Sequence, residues 1–146
     1  MVGYTTVLGL ILAYWEVQIE GKYGWAEKLP CWRKENGLIV EKILGGRPLT
    51  TYHIALGLFS FMTLHLIFFL IDWNFQAELF AIGLLLELFV FDDFFWFLIN
   101  PHFGLKKFKK EEIWWHKQWI GPVPSFYIYF AIVAIILFYL GYPGMS

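Results

Sequence analysis

The sequence predicts an all-α integral membrane bundle of four transmembrane helices with two cytoplasmic, amphipathic or interfacial loop segments. Three observations lead there. Of 146 residues, 59% are hydrophobic and only 16% charged, whereas soluble domains hold about 45–50% apolar residues. Aromatics reach 22%, with 8 Trp, 8 Tyr and 16 Phe, a bias found where amphipathic rings sit at membrane interfaces. All eleven Lys and Arg residues are confined to two segments between apolar runs.

A spanning helix needs roughly 20 mainly apolar residues, and four segments approach that length, at approximately 1–18, 51–71, 77–98 and 123–142. The first is short and ends in Glu16 and Glu20, which points to a span that is thin, tilted, or packed deeply against the others. No Lys or Arg precedes its apolar run, so it reads as a retained helix rather than a cleaved signal. The second and third are joined only by Asp72-Trp73-Asn74-Phe75-Gln76, which makes them an antiparallel hairpin. The fourth opens after Gly121-Pro122-Val123-Pro124-Ser125 and stops near Gly141 and Pro143. One membrane domain, 1–146, accounts for the whole length.

Orientation follows from the basic residues. Lys22, Lys28, Arg33, Lys34, Lys42 and Arg47 lie between spans one and two, and Lys106, Lys107, Lys109, Lys110 and Lys117 between spans three and four. The positive-inside rule places 19–50 and 99–122 in the cytoplasm and both termini on the other side. Leu38, Ile39, Ile43 and Leu44 in the first loop, and Phe108, Ile113, Trp114, Trp115 and Trp119 in the second, interleave with charges as interfacial helices do. The simpler reading is attraction to anionic headgroups, with Arg33 and Arg47 as headgroup-binding candidates; the sharper one is a lid over a polar pocket. Membrane lipids are the expected partners. Nucleic-acid binding is not expected, because orientation already explains the lysines. Nothing in the composition indicates an oligomeric state.

Charged groups inside spans carry the functional information, since an ionised acid at the bilayer centre costs about 2.5–3.5 kcal/mol on insertion scales. By topology, Glu16 and Glu20 end span one, His53 starts span two, and Asp92 and Asp93 lie near the end of span three, all on the cytoplasmic side. His116 belongs to the following loop. Glu16, Glu20, His53, Asp93 and His116 are therefore the candidate ligands of a divalent iron, manganese or zinc ion, because carboxylates and imidazoles suit these metals. With a single cysteine, Cys31, no Cys-rich site is available. Asp92 and Asp93 stand about 100° apart on a helix, so one alone is expected to face the bundle, with Asp93 preferred.

Secondary candidates are Glu87, Asp92, His65, His102 and Glu112. Glu87 lies roughly 9 Å deeper than Asp93 and about 120° around from it. His65 is roughly 18 Å from His53 along span two, where it is expected to meet Glu87 or a backbone group. His102 follows Asn100-Pro101 and is expected to be exposed. Glu112 and His116 share a face if their loop is helical. The ferritin-like pair of Glu-x-x-His motifs is missing, as is His-Glu-x-x-His, so the metal expectation rests on convergence across spans.

The leading expectation is a membrane metalloprotein, possessing a cytoplasm-facing site for a lipid or hydrophobic small molecule, with enzymatic activity left open. One alternative is a haem-binding electron carrier with His53 and His116 as axial ligands. The other is a noncatalytic membrane subunit or a proton-coupled transporter using Glu87 and His65.

Overall fold

A computed structural model describes residues 2–34 and 45–142. Most of them are helical, in agreement with an all-α fold. Among the described residues four α-helices follow one another: α1 (Val2–Glu20), α2 (Thr51–His65), α3 (Phe75–Ile99) and α4 (Ser125–Gly141). Two short antiparallel ribbons lie between them, β1 (Arg33–Lys34) with β2 (Leu49–Thr50), and β3 (Trp119–Ile120) with β4 (Val123–Pro124).

Local chemistry sets the helix ends. Thr50 caps α2 by accepting the His53 backbone N–H at 3.1 Å, and Asn74 caps α3 by accepting that of Ala77 at 2.9 Å. Gly21, with φ of 61°, closes α1 in the left-handed conformation and returns its N–H to Val17. Asn100-Pro101 stops α3. The second predicted span, 51–71, is α-helical to His65 and continues as a 3-10 turn, Leu66–Phe69. This composite, Thr51–Phe69, is the one described helix long and apolar enough to cross a bilayer, at a mean hydropathy of 1.6. The α3 helix is longer, with 25 residues, but includes Glu78, Glu87, Asp92 and Asp93; α4 has 17 residues.

The α3 helix is central, packing closely along both α1 and α4 and touching α2 more lightly. Small residues permit these approaches. A Cβ at Gly9 would stand 2.9 Å from the Phe91 Cβ and 3.2 Å from the Asp92 backbone nitrogen, and one at Gly141 would stand 2.6 Å from the Gln76 carbonyl oxygen. Midway along the bundle Leu12, Leu64 and Leu88 form one buried cluster; at the end holding Glu20 and Ile99, Trp25, Trp96, Phe97, Ile113 and Trp115 form a second, with Ala13 and Val17. The outward surfaces are apolar: Tyr4, Val7 and Tyr14 on α1 and Ile132, Ile135 and Tyr139 on α4 are exposed, and Phe69 and Leu70 are 84% and 82% exposed.

The segment expected to form an interfacial helix within 99–122 folds differently. Its described structure is a 3-10 turn, Leu105–Lys107, a series of turns, and the β3–β4 ribbon. Gly104 and Gly121, with φ of 62° and 59°, bend the chain, and the aromatic side chains turn inward rather than along an interfacial face. Ile113 and Trp115 become core residues, although Trp114 remains exposed. The other proposed amphipathic stretch, from Leu38 to Leu44, lies outside the described residues.

Gly9→Val forces α1 away from the α3 backbone and is expected to destabilise the protein by about 1–3 kcal/mol. Gly3→Val, where a Cβ meets nothing within 4 Å, is expected to have little effect. Thermal unfolding in one detergent provides the comparison, and equal losses for the two variants would contradict the packing.

Candidate functional site

The two adjacent acids of α3 separate into different polar groups, as their angular offset on a helix requires. Asp92 faces Glu16 of α1, whereas Asp93 faces Arg47 and the second loop. This division organises the site.

The first group is Glu16, Glu20 and His53. One ligand atom from each lies within 4.8 Å of the other two. His53 Nε2 is 3.5 Å from Glu20 Oε1 and 4.0 Å from Glu16 Oε1. Four-residue spacing puts both glutamates on one face of α1, and the Thr50 cap places His53 in the first turn of α2 opposite them. The same Thr50 hydroxyl is 2.6 Å from His53 Nδ1. When Nδ1–H donates to that oxygen, the Nε2 lone pair faces the glutamates, the arrangement by which an outer partner orients a metal-binding imidazole. Trp25 stacks on the His53 ring at 3.8 Å between centroids and 15° between planes.

Glu20 is held by the loop. The backbone N–H groups of Trp25 and Ala26 donate to its carboxylate, from residues whose φ values are 46° and 52°. Two consecutive non-glycine residues in this region are uncommon. Their amides form an anion-binding concavity, and Trp25 Nε1 donates to the Pro48 carbonyl at 2.8 Å to fix the turn. Glu16 is hydrogen-bonded to Tyr52 and Asp92. Asp92 is 6% exposed, and its Oδ1 has no hydrogen-bond partner among the described residues.

The second group is Arg47, Asp93, His116 and Tyr127. Arg47 Nη2 is 3.0 Å from Asp93 Oδ1, His116 Nε2 is 3.3 Å from Asp93 Oδ2, and the Tyr127 hydroxyl donates to the same oxygen. Arg47 Nε donates to His116 Nδ1 at 3.3 Å, so that nitrogen accepts and the proton of the neutral ring lies on Nε2, toward Asp93. Burial, then the Arg47 charge, pull the His116 imidazole from its ordinary 6.5 to about 4, against the opposing influence of Asp93. The guanidinium lies 3.7 Å from the Phe126 ring centroid and 4.6 Å from that of Trp25.

A cavity of about 130 Å³ adjoins both groups, lined by Glu16, Asp92, Asp93, Arg47 and His53 at its polar end. Ile54, Leu56 and Gly57 of α2, Phe89 of α3 and Phe130 of α4 form its apolar walls. Glu20 instead borders a separate cavity of about 360 Å³ with Lys22, Tyr23, Glu27 and Lys28. The triad thus separates a polar recess from an apolar one.

Of the five residues expected to share a metal, Glu16, Glu20 and His53 come together, while Asp93 and His116 belong to the Arg47 group. Asp92 joins the first group beside Glu16. Glu87 accepts a hydrogen bond from Thr5 at 2.6 Å, away from the site. His65 meets the Phe61 carbonyl at 2.7 Å and Glu78, rather than Glu87, at 3.0 Å. His102 is exposed. Glu112 pairs with Lys109 at 3.7 Å, and without a loop helix it does not share a face with His116. Arg47 is an interior residue at 5% exposure instead of a surface headgroup contact. Arg33 donates to the Trp25 carbonyl at 2.8 Å. Sequence reasoning missed Tyr52, Tyr127 and Trp25; their aromatic character resembled an interfacial belt, and only the threonines before His53 signalled local support. No protein-family model, curated protein or solved structure matches this chain.

Arg47→Ala would leave the buried Asp93 charge without its cation and is expected to cost about 3–5 kcal/mol. For His116, protonation is harder in the folded than in the unfolded chain, so its contribution is complete above pH 6.5 and declines as pH falls toward about 4. His116→Gln should remove that part of the slope in stability measured from pH 7 to pH 4. An unchanged slope would exclude this linkage.

Proposed function

We propose that this chain is a membrane-embedded metalloprotein in which Glu16, Glu20 and His53 hold a divalent iron, manganese or zinc ion beside a cavity for a hydrophobic small molecule or lipid. The convergence of three ligand atoms within 4.8 Å, from two helices, carries this reading. Bonds of about 2.0–2.2 Å to one ion require ligand separations no greater than roughly 4.4 Å, so small side-chain rotations complete the site.

Charge supports the same conclusion. Glu16, Asp92 and Asp93 gather near Arg47, with Glu20 beside Glu16, and buried carboxylates require protons or cations to offset the loss of hydration. A hydrogen bond between the Glu16 and Asp92 carboxylates requires one proton, which a metal ion bound at Glu16 replaces. Three protein ligands leave coordination positions for water or substrate, where an ion of this kind activates water or polarises a bound group. His53 Nε2 faces the glutamates and His116 Nε2 faces Asp93, so the imidazoles address different carboxylates.

Four crossings with both basic loops in the cytoplasm complete the reading. Support comes from the apolar outer surfaces of the helices, the confinement of Lys and Arg to two segments, and one helix of sufficient length and apolarity.

Elemental analysis of detergent-purified protein is expected to find about one first-row transition metal per chain. His53→Ala and Glu16→Gln should each reduce that content severalfold, while folded Asp93→Asn and His116→Gln proteins retain it. Equal metal content in the parent and the His53→Ala protein would exclude the site.

Orientation has its own test. In sealed spheroplasts of an expression host, a membrane-impermeant maleimide should leave Cys31 unlabelled but label the Cys31→Ser, Trp73→Cys protein. Labelling of Cys31 before lysis would reverse the topology.

A further inference from the structure

We infer that the cavity between α2 and α4 receives the protonated headgroup of a single-chain aliphatic amine dissolved in the bilayer, with Asp92 as its counter-ion. This inference names the substrate class of the proposed metal site and rests on that reading for the role of Glu16.

Glu16, Asp92 and Asp93 are carboxylic groups, and Arg47 is the one guanidinium among the lining residues. Asp93 is paired with Arg47 at 3.0 Å and also meets His116 and Tyr127. Glu16 belongs to the metal triad. Asp92, hydrogen-bonded to Glu16, therefore remains without an ion-pair partner among the described residues, and its buried Oδ1 is unpartnered among them. An ammonium group supplies both missing elements, a positive charge and N–H donors. A carboxylate or phosphate headgroup would instead face acidic walls whose guanidinium is already engaged.

The walls define the remainder of the ligand. Beyond the charged end the lining changes to Ile54, Leu56, Gly57, Phe89 and Phe130, surfaces that suit methylene groups. Ile54 is exposed on α2, which places the apolar part of the recess at the outer surface of the bundle. At about 130 Å³ the cavity is smaller than the roughly 300–1,000 Å³ usual for a whole drug-sized ligand. It accommodates a headgroup and the first methylenes, leaving the remaining chain among lipid tails. Gly57 keeps the passage open: a Cβ there would have only the Phe89 Cζ nearby, at 3.9 Å, so a larger side chain would enter the recess without striking the helix backbone.

Radiolabelled dodecylamine and metal-loaded protein in phosphatidylcholine nanodiscs provide the test, with empty nanodiscs as the partition control. Binding should be saturable at about one amine per chain. Unlabelled dodecylamine should displace it, whereas dodecanol and dodecanoate at the same concentration should not. Asp92→Asn should weaken binding by about tenfold or more, and Gly57→Leu should abolish it, with both variants retaining the parent metal content as their control for folding. Saturable binding absent from loaded parent discs, equal displacement by dodecanol or dodecanoate, or unchanged affinity in Asp92→Asn would overturn the amine assignment alone. Failure of the parent to load metal would overturn the metal reading on which this inference depends.

Discussion

The balance of buried charge at one end of the bundle constrains everything around it. Four carboxylic side chains, Glu16, Glu20, Asp92 and Asp93, approach one another where hydrophobic helices and an aromatic loop limit water. Each must be protonated, paired or bound by donors, because an isolated buried charge costs several kcal/mol even after relaxation. The protein uses different solutions for different acids. Asp93 receives a guanidinium, an imidazole N–H and a phenol; Glu20 receives two backbone amides; Glu16 and Asp92 are left to share. The unequal distribution gives the Asp93 side a full set of partners and leaves the Glu16 side with a carboxylate oxygen, Asp92 Oδ1, that has none among the described residues.

That distribution depends on the loops. Arg47 reaches the interior because Gly45 and Gly46, with φ of 72° and 84°, bend the chain before it and Gln118 N–H donates to the Gly45 carbonyl. A Cβ on Gly46 would stand 2.9 Å from that of Lys117, so the two loops meet closely at this point. Trp25 joins the parts: its backbone helps bind Glu20, its indole N–H holds Pro48, and its ring covers both His53 and Arg47. The left-handed backbone at Trp25 and Ala26 therefore serves two functions at once, positioning a ring over the imidazole and aiming amides at the carboxylate.

The sequence made the helices legible because apolar length and capping residues are local signals. The threonines before His53 marked one start, and Asn100-Pro101 marked a stop, close to where the structure has them. The shared face of Glu16 and Glu20 followed from spacing alone, as did the different directions of Asp92 and Asp93. The partners of the two aspartates did not follow, since angular separation fixes a difference in direction but not which neighbour lies in each. Nor did the inward path of Trp115, His116 and Arg47. Alternating aromatic and basic residues fit an interfacial helix as well as a folded cap, and contacts such as Arg47 with His116 span 69 residues. Long-range closure, rather than local propensity, decides between those forms.

A polar cluster that only held helices in register would be expected to satisfy its own donors and acceptors, because each unpaired buried group reduces the stability it was recruited to provide. The Arg47 group behaves in this way: Asp93 is bound through both oxygens, and His116 has partners at both ring nitrogens. The Glu16 group does not. One polar atom each of Glu16, Glu20 and His53 converge while Asp92 Oδ1 has no partner among the described residues, and different recesses meet the two glutamates, one apolar and one bordered by lysines and a further acid. Placing a fully satisfied network beside an incompletely satisfied one divides the labour physically. The former fixes the ends of α3 and α4 and both loops, so the latter can retain free electron pairs without losing its geometry. That contrast between neighbouring groups, more than the number of acids, distinguishes the two sides of the site.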